Sequence, residues 1–462
     1  MTTMTRTLAG ALCATLAIGS MTAVAVAQSL TADRAVEIAL KHNSLIVTSA
    51  ADMLDARSAR YAAASGILPH VGASLARSGS FTDNQPFTGA RVIGGQLVTG
   101  TGTNDIETYS TSPALQGSWS VLDLSALSSF SASRRGVEAA EKRRTATRND
   151  VTFETRRQFY AVVQAIHLSS VSNASLRVAR DDERRVRALF EVGSVSKSDL
   201  LKAQVRTAQS AFDSLSASQS VTSSRVALAI AIGVAESELG VVDTVLIAEP
   251  QTYDEASLIA EAEKSRPDLQ AAELEVRAAD ASVAAARYAR LPYVTASGSV
   301  TFNPKYSQTT TTTSVDDFGK AVVGESGFTS QDDREWRGTV ALNLDLFDGF
   351  AMNARSAAAH ARQVRARETR DALRRNLTSA VHAAVLLYQE AIVRERVARG
   401  SLESATENLN LNQQKYNVGS ATILELIDAG VQLDRARSDT VSALAAMKVA
   451  EAFIERARGS GN

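Results

Sequence analysis

Two textures alternate along the chain. Across residues 125–191, apolar and small side chains recur every three or four positions, as at Phe159, Val162, Val163, Ile166 and Val171. This segment has no proline and one glycine, Gly136. The spacing is that of an amphipathic helix. Residues 351–418 repeat the pattern, with Gly400 as their one glycine. A helix of 67 residues is about 100 Å long, so it needs partners packed along its side. Segments 31–65 and 198–232 predict shorter helices, and two such pieces end to end would match one long helix. Thr31 is a weak cap, whereas Pro69, Pro250 and Pro292 are firm breaks.

The second texture has a period of two. Val294, Ala296, Gly298, Val300 and Phe302 alternate with Thr295, Ser297, Ser299 and Thr301. Val340, Leu342, Leu344 and Leu346 alternate with Thr339, Ala341, Asn343 and Asp345. Weaker versions run through Val71, Ala73 and Leu75, and through Trp119 and Val121. Apolar-out, polar-in alternation is the mark of membrane-barrel strands, and the two tryptophans, Trp119 and Trp336, suit a membrane interface. The hairpins are expected at about 70–121 and 293–346, with the polar stretches 82–112 and 303–335 read as exposed loops.

The textures come twice because the chain is duplicated. Phe190-Glu191-Val192-Gly193-Ser194 recurs as Tyr416-Asn417-Val418-Gly419-Ser420, 226 positions on. Asp199-Leu200 answers to Glu425-Leu426, Leu68-Pro69 to Leu291-Pro292, and Leu122-Asp123 to Phe347-Asp348. A repeat this long means two copies of one large unit. The units are read as 28–240 and 255–458, joined by a connector at 241–254 and followed by a tail at 459–462.

Residues 1–27 read as an export signal: Arg6 is the only charge, an apolar run follows, and Ala25-Val26-Ala27 offers a cleavage site. The chain's one cysteine, Cys13, lies inside that leader, so the mature protein would have no disulfide or thiolate metal site. A net charge of −1 from 49 basic and 50 acidic residues gives no push toward nucleic acid. The histidines, His42, His70, His167, His360 and His382, lack metal-ligand spacing, and no nucleophile elbow surrounds a serine. No enzyme and no cofactor is expected.

Four strands cannot close a membrane barrel, and lipid tolerates no open edge. Two copies would give about eight strands, with an interior filled by side chains, and three would give roughly 12 and room for a lumen. Strand count alone does not fix the number, and three is the simplest solution. The fold expected is mainly α with a membrane β-barrel: duplicated long-helix hairpins forming an α-helical tunnel, with four strands per chain entering a 12-stranded trimeric barrel.

The landmarks resemble those of the TolC-like outer-membrane efflux proteins over essentially the whole mature chain. The resemblance rests on the Leu-Pro step into each hairpin, Arg266-Pro267-Asp268-Leu269, Leu346-Phe347-Asp348-Gly349, and above all the doubled aromatic-x-Val-Gly-Ser turns. It implies a homotrimer in outer-membrane lipid whose helices extend into the periplasm. There it would meet a periplasmic adaptor and an inner-membrane pump, as a passive conduit for tripartite efflux or type I secretion. Val192, Gly193, Ser194, Val418, Gly419 and Ser420 would form the adaptor-contacting tips. Glu425 and Asp428, six and nine positions after the second tip glycine, would form the pore constriction. Tyr416, Asp199 and Ser198 match gate-link positions, but Ala421 stands where the pattern has an arginine, so one closing bridge is missing or relocated.

Two other readings use the same long helices. A trimeric, barrel-anchored adhesive coiled coil would carry one terminal anchor, not hairpins at equivalent points of two halves. A periplasmic adaptor usually has a single helical hairpin flanked by β-rich domains, so the duplication argues against it.

Overall fold

The computed structural model describes residues 29–93, 96–311, 314–315, 321–322 and 327–460. The expected leader lies outside them. The first half runs α1 (Ala32–His42), α2 (Ser44–Ser65), β1 (His70–Ile93), β2 (Gln96–Leu122), α3 (Leu124–Glu191) and α4 (Lys197–Ile232). The second runs α5 (Glu255–Ser265), α6 (Pro267–Tyr288), β3 (Tyr293–Thr311), β4 (Ser314–Val315), β5 (Ala321–Val322), β6 (Gly327–Asn343), α7 (Ala351–Asn417) and α8 (Ile423–Arg458). The long helices α3 and α7 have 68 and 67 residues, as the uninterrupted three-four spacing requires.

The segment expected as one helix at 31–65 is two. Asn43 breaks it by accepting the Leu45 amide at 2.8 Å while its own amide donates to the Ala231 carbonyl at 2.7 Å. An asparagine side chain that imitates the backbone competes with a helix interior in this way. The second half makes the same break with Arg266-Pro267, since Pro267 opens α6 without needing an N–H partner.

Strands β1, β2, β3 and β6 form one antiparallel sheet in that order. The loops expected at 82–112 and 303–335 are mostly strand: β1 and β2 have 24 and 27 residues, β3 and β6 have 19 and 17. Apolar alternation fades in these stretches while backbone pairing continues, from Ser80↔Thr108 to Ile93↔Gln96. Threonine, frequent there, favours the pleated backbone without marking a buried face.

The sheet's two faces differ. The register sets Leu115 beside Val300 and Val300 beside Trp336, so one face carries Val71, Leu75, Leu115, Val300, Trp336, Val340 and Leu342. Most of these are exposed, Trp336 at 77 %. The opposite face carries His70, Gln116, Ser118, Ser297, Ser299, Arg337 and Thr339. Among the described residues, no helix is long and apolar enough to cross a membrane.

Below the sheet the halves build matching cores. One gathers Ala35, Ala39, Val162, Val163, Leu228 and Ile232; the other Ala262, Leu377, Val385, Tyr388, Met447 and Ile454. Branched and aromatic side chains fill both clusters, and the alanines among them, such as Ala39 and Ala384, let the helices approach closely. The connector is strapped to both: His167 Nε2 donates to the Thr244 carbonyl at 2.8 Å, and the Gln251 amide donates to the Tyr388 hydroxyl at 2.8 Å. Leu30 and Val242 add a parallel bridge. Helices α3 and α8 join the halves directly, through Phe153 against Phe453 and through Arg156, which pairs with Glu455 and Asp33.

Gly233 and Gly459, 226 positions apart, each end a helix with φ of +85°. A Cβ on Gly233 would lie 2.6 Å from the His42 carbonyl oxygen, and one on Gly459 would lie 2.9 Å from Arg266 Cα. Left-handed backbone and the lack of room both demand glycine. Gly233→Ala is expected to destabilise the chain by about 2 kcal/mol or more, and Gly459→Ala by a comparable amount. Thermal unfolding of the detergent-solubilised protein, followed by circular dichroism, should show a lower midpoint for both.

Candidate functional site

The far ends of the long helices are built alike. At the first tip the Gly193 amide donates to Phe190 O at 2.9 Å and the Ser194 amide to Leu189 O at 2.8 Å. At the second, Gly419 donates to Tyr416 O at 3.0 Å and Ser420 to Lys415 O at 2.9 Å. Both glycines have φ of +76°. This doubled bond around a left-handed glycine closes the carbonyl end of a helix. The valines before them point outward, Val192 at 74 % exposure and Val418 at 79 %.

Each returning helix, α4 or α8, then begins with a reciprocal cap. Asp199 N donates to Ser196 Oγ at 3.2 Å while Ser196 N donates to Asp199 Oδ2 at 3.3 Å. Glu425 N donates to Thr422 Oγ1 at 3.3 Å while Thr422 N donates to Glu425 Oε2 at 3.4 Å. Two residues singled out for pore and gate roles therefore also hold helix ends. The sequence carried the signal, Ser196-x-x-Asp199 and Thr422-x-x-Glu425, and the reading for charge missed it.

Inside the tips, Val186 of α3, Ala203 of α4, and Ile423 and Leu426 of α8 form a small apolar cluster, with Leu409 and Tyr416 of α7 packed against it. Tyr416 contributes its ring. Among the described residues, no hydrogen bond joins its hydroxyl to Asp199 or Ser198; Asp199 is engaged by Ser196, whose Oγ donates to it at 2.7 Å. Ser198 is exposed and Ala421 partly so.

Glu425 and Asp428 stand one helical turn apart on the exposed side of α8, opposite buried Ile423, Leu426, Ala429 and Leu433. Asp428 Oδ2 accepts from Gln432 at 3.0 Å. Lys197 pairs with neither carboxylate among the described residues. Nor does any cluster there have the make-up to hold a metal ion.

The outer membrane efflux protein family matches the chain twice, over residues 35–234 and 258–460. The chain belongs to the outer membrane efflux protein family. The two matched segments are separated by residues 235–257. The chain is 23% identical over 303 residues to the outer membrane protein TolC of Vibrio cholerae, a match covering 65% of this chain and 66% of TolC, just under two thirds. It is 30% identical over 168 residues to OprJ of Pseudomonas aeruginosa, covering 36% of this chain and 30% of OprJ. The crystal structure of the CmeC outer membrane channel of Campylobacter jejuni superposes with a TM-score of 0.74 at 17% identity, covering 93% of this chain and 86% of CmeC. The fold is therefore that of an outer-membrane efflux channel subunit. Membership places the chain among outer membrane efflux proteins.

The caps give a pH signature. The Ser196 hydroxyl, donating to the Asp199 carboxylate, holds its pKa below the ordinary aspartate range. A folded-state pKa lowered in this way supports stability above the unfolded pKa of about 4 and loses it as pH falls through the folded value. Amide exchange in the first turn of α4, corrected for intrinsic rates, should accelerate as pH falls below about 5 and on through the lowered folded pKa of Asp199. Asp199→Ala should raise exchange already at pH 6 and remove that acid-induced step. Ser196→Ala and Thr422→Ala should each weaken their helix starts by about 1 kcal/mol, read by the same measurement.

Proposed function

We propose that this chain is one subunit of a homotrimeric outer-membrane channel. It passively conducts cargo from a periplasmic adaptor and inner-membrane pump to the exterior, in tripartite efflux or type I secretion. The observation that carries this reading is the two-faced, four-stranded sheet with open edges at β1 and β6, set above helices of about 100 Å. Its apolar face suits lipid, its polar face suits a water-filled lumen, and its edges need strands from other copies. Three copies supply about 12 strands, enough for an open passage.

In this arrangement the helices reach into the periplasm and the passage narrows at the tips. Glu425 and Asp428 from three subunits would place six carboxylates around the axis, a ring that favours cations. Val192, Gly193, Ser194, Val418, Gly419 and Ser420 would meet the adaptor. Tyr416, Asp199 and Ser198 would hold the closed state by linking the α3–α4 hairpin of one subunit to the α7–α8 hairpin of its neighbour. The first 27 residues would be removed on export.

The reading makes a measurable commitment. Protein purified from outer membranes should have the mass of three chains and open cation-selective channels in planar bilayers. Glu425→Gln combined with Asp428→Asn should move the reversal potential in a salt gradient toward the non-selective value. A soluble monomer, or a membrane protein that conducts nothing, would overturn the channel reading; the second result would favour the anchored adhesive alternative.

A further inference from the structure

Near the tips the two halves share a contact that neither the caps nor the apolar cluster requires. Arg206 of α4 crosses to α8, where its Nη1 donates to the carbonyl of Ile427 at 2.5 Å. That carbonyl lies within α8, and its second lone pair accepts the guanidinium beside the helix's own bond. Next to it sits Gly430, where an added Cβ would lie 3.2 Å from Arg206 Nη2. Gly430 is in the middle of a helix without positive φ, so the backbone gives no reason for glycine. A glycine there costs about 1 kcal/mol relative to alanine. The space it leaves is where the guanidinium lies.

The duplication shows that this pairing is specific to one interface. The position matching Gly430 in the first half is Gln204, and the position matching Arg206 in the second is Gln432. One half has the arginine without the glycine, and the other has the glycine without the arginine. In the second hairpin, Gln432 stays at home, accepting from Asn408 at 3.3 Å and donating to Asp428. The first-half counterpart of Asn408 is Asp182, a buried carboxyl on α3 whose pKa is raised by burial and opposed by Arg185 and Arg206. Arg206 thus lies in the field of α3 while holding the backbone of α8.

We propose that Arg206 is a positioning residue for the constriction, and that Gly430 is its seat. Ile427 lies between Glu425 and Asp428, so a grip on its carbonyl fixes the turn that presents both carboxylates. Arg206 thereby supplies a link between the halves in a chain whose expected arginine is replaced by Ala421. It bonds to backbone, so no partner side chain is needed. The inference rests on the reading of Glu425 and Asp428 as the constriction.

Single-channel recording in planar bilayers, with the trimer checked by mass and thermal unfolding, tests it. Arg206→Ala should raise conductance and weaken cation selectivity although both carboxylates remain. Arg206→Lys should restore part of each, since a lysine can still donate to the carbonyl. Gly430→Leu, which fills the seat and leaves Arg206 present, should give the same phenotype, and combining it with Arg206→Ala should add little. Gly430→Leu also covers the case in which Arg206→Ala fails to assemble. If the wild type is cation-selective and responds to Glu425→Gln with Asp428→Asn, yet Arg206→Ala and Gly430→Leu change neither conductance nor reversal potential, the positioning role is overturned and the channel reading stands. If the wild type shows no such selectivity, the constriction reading fails and this inference falls with it.

Discussion

A backbone amide facing hydrocarbon without a partner costs several kcal/mol, and a sheet edge presents a row of them. Among the described residues, β1 and β6 each pair on one side only, and β1 alone has 24 residues. That demand orders the rest of the molecule. In the proposed assembly, a chain contributing four strands depends on other copies of itself, and its helices must then arrive at the sheet with a spacing that all copies share. The matching steps into the sheet, Leu68-Pro69 and Leu291-Pro292, and the matching steps out, Asp123 and Asp348, meet that demand twice per chain. Asp123 is the N-cap of α3 and accepts the Ala126 amide at 2.9 Å, whereas Asp348 accepts the Met352 amide at 2.6 Å from two residues before Phe350, the N-cap of α7.

The helices answer a different need. Burial along α3 and α7 is dominated by alanine and valine, with larger groups such as Phe159 and Tyr388 confined to the middle. Small side chains allow close approach over a great length but bury little apolar area per residue. Specific anchors therefore recur at the level where the shorter helices stack: Asn43 and Arg266 at the breaks, Gly233 and Gly459 at the facing ends, and the connector strapped by His167 and Tyr388.

Much of this was legible in the sequence, because helical period, doubled tip motif and strand alternation are local signals. The long helices fall within a residue of their expected bounds. The break at Asn43 was not legible, since asparagine interrupts a helix only when something nearby, here the Ala231 carbonyl, engages its amide. Strand lengths were underestimated because alternation reports burial, while pairing is a property of the backbone. At the tips the positions of Glu425 and Asp199 were readable, but charge drew notice away from their capping geometry. The contact of Arg206 with Ile427 spans 221 residues, and only the packing of α4 on α8 brings it about.

Each tip turn is also self-sufficient. From Leu189 to Asp199, and from Lys415 to Glu425, the bonds of the glycine turn and of the reciprocal cap begin and end within the same eleven residues. The outward side chains of Val192 and Val418 take no part in them. Shape and surface are thus inherited separately at this end of the molecule. The face a tip shows can drift to follow a changing neighbour while the hairpin beneath it keeps its form, and one scaffold can come to serve different assemblies without being rebuilt.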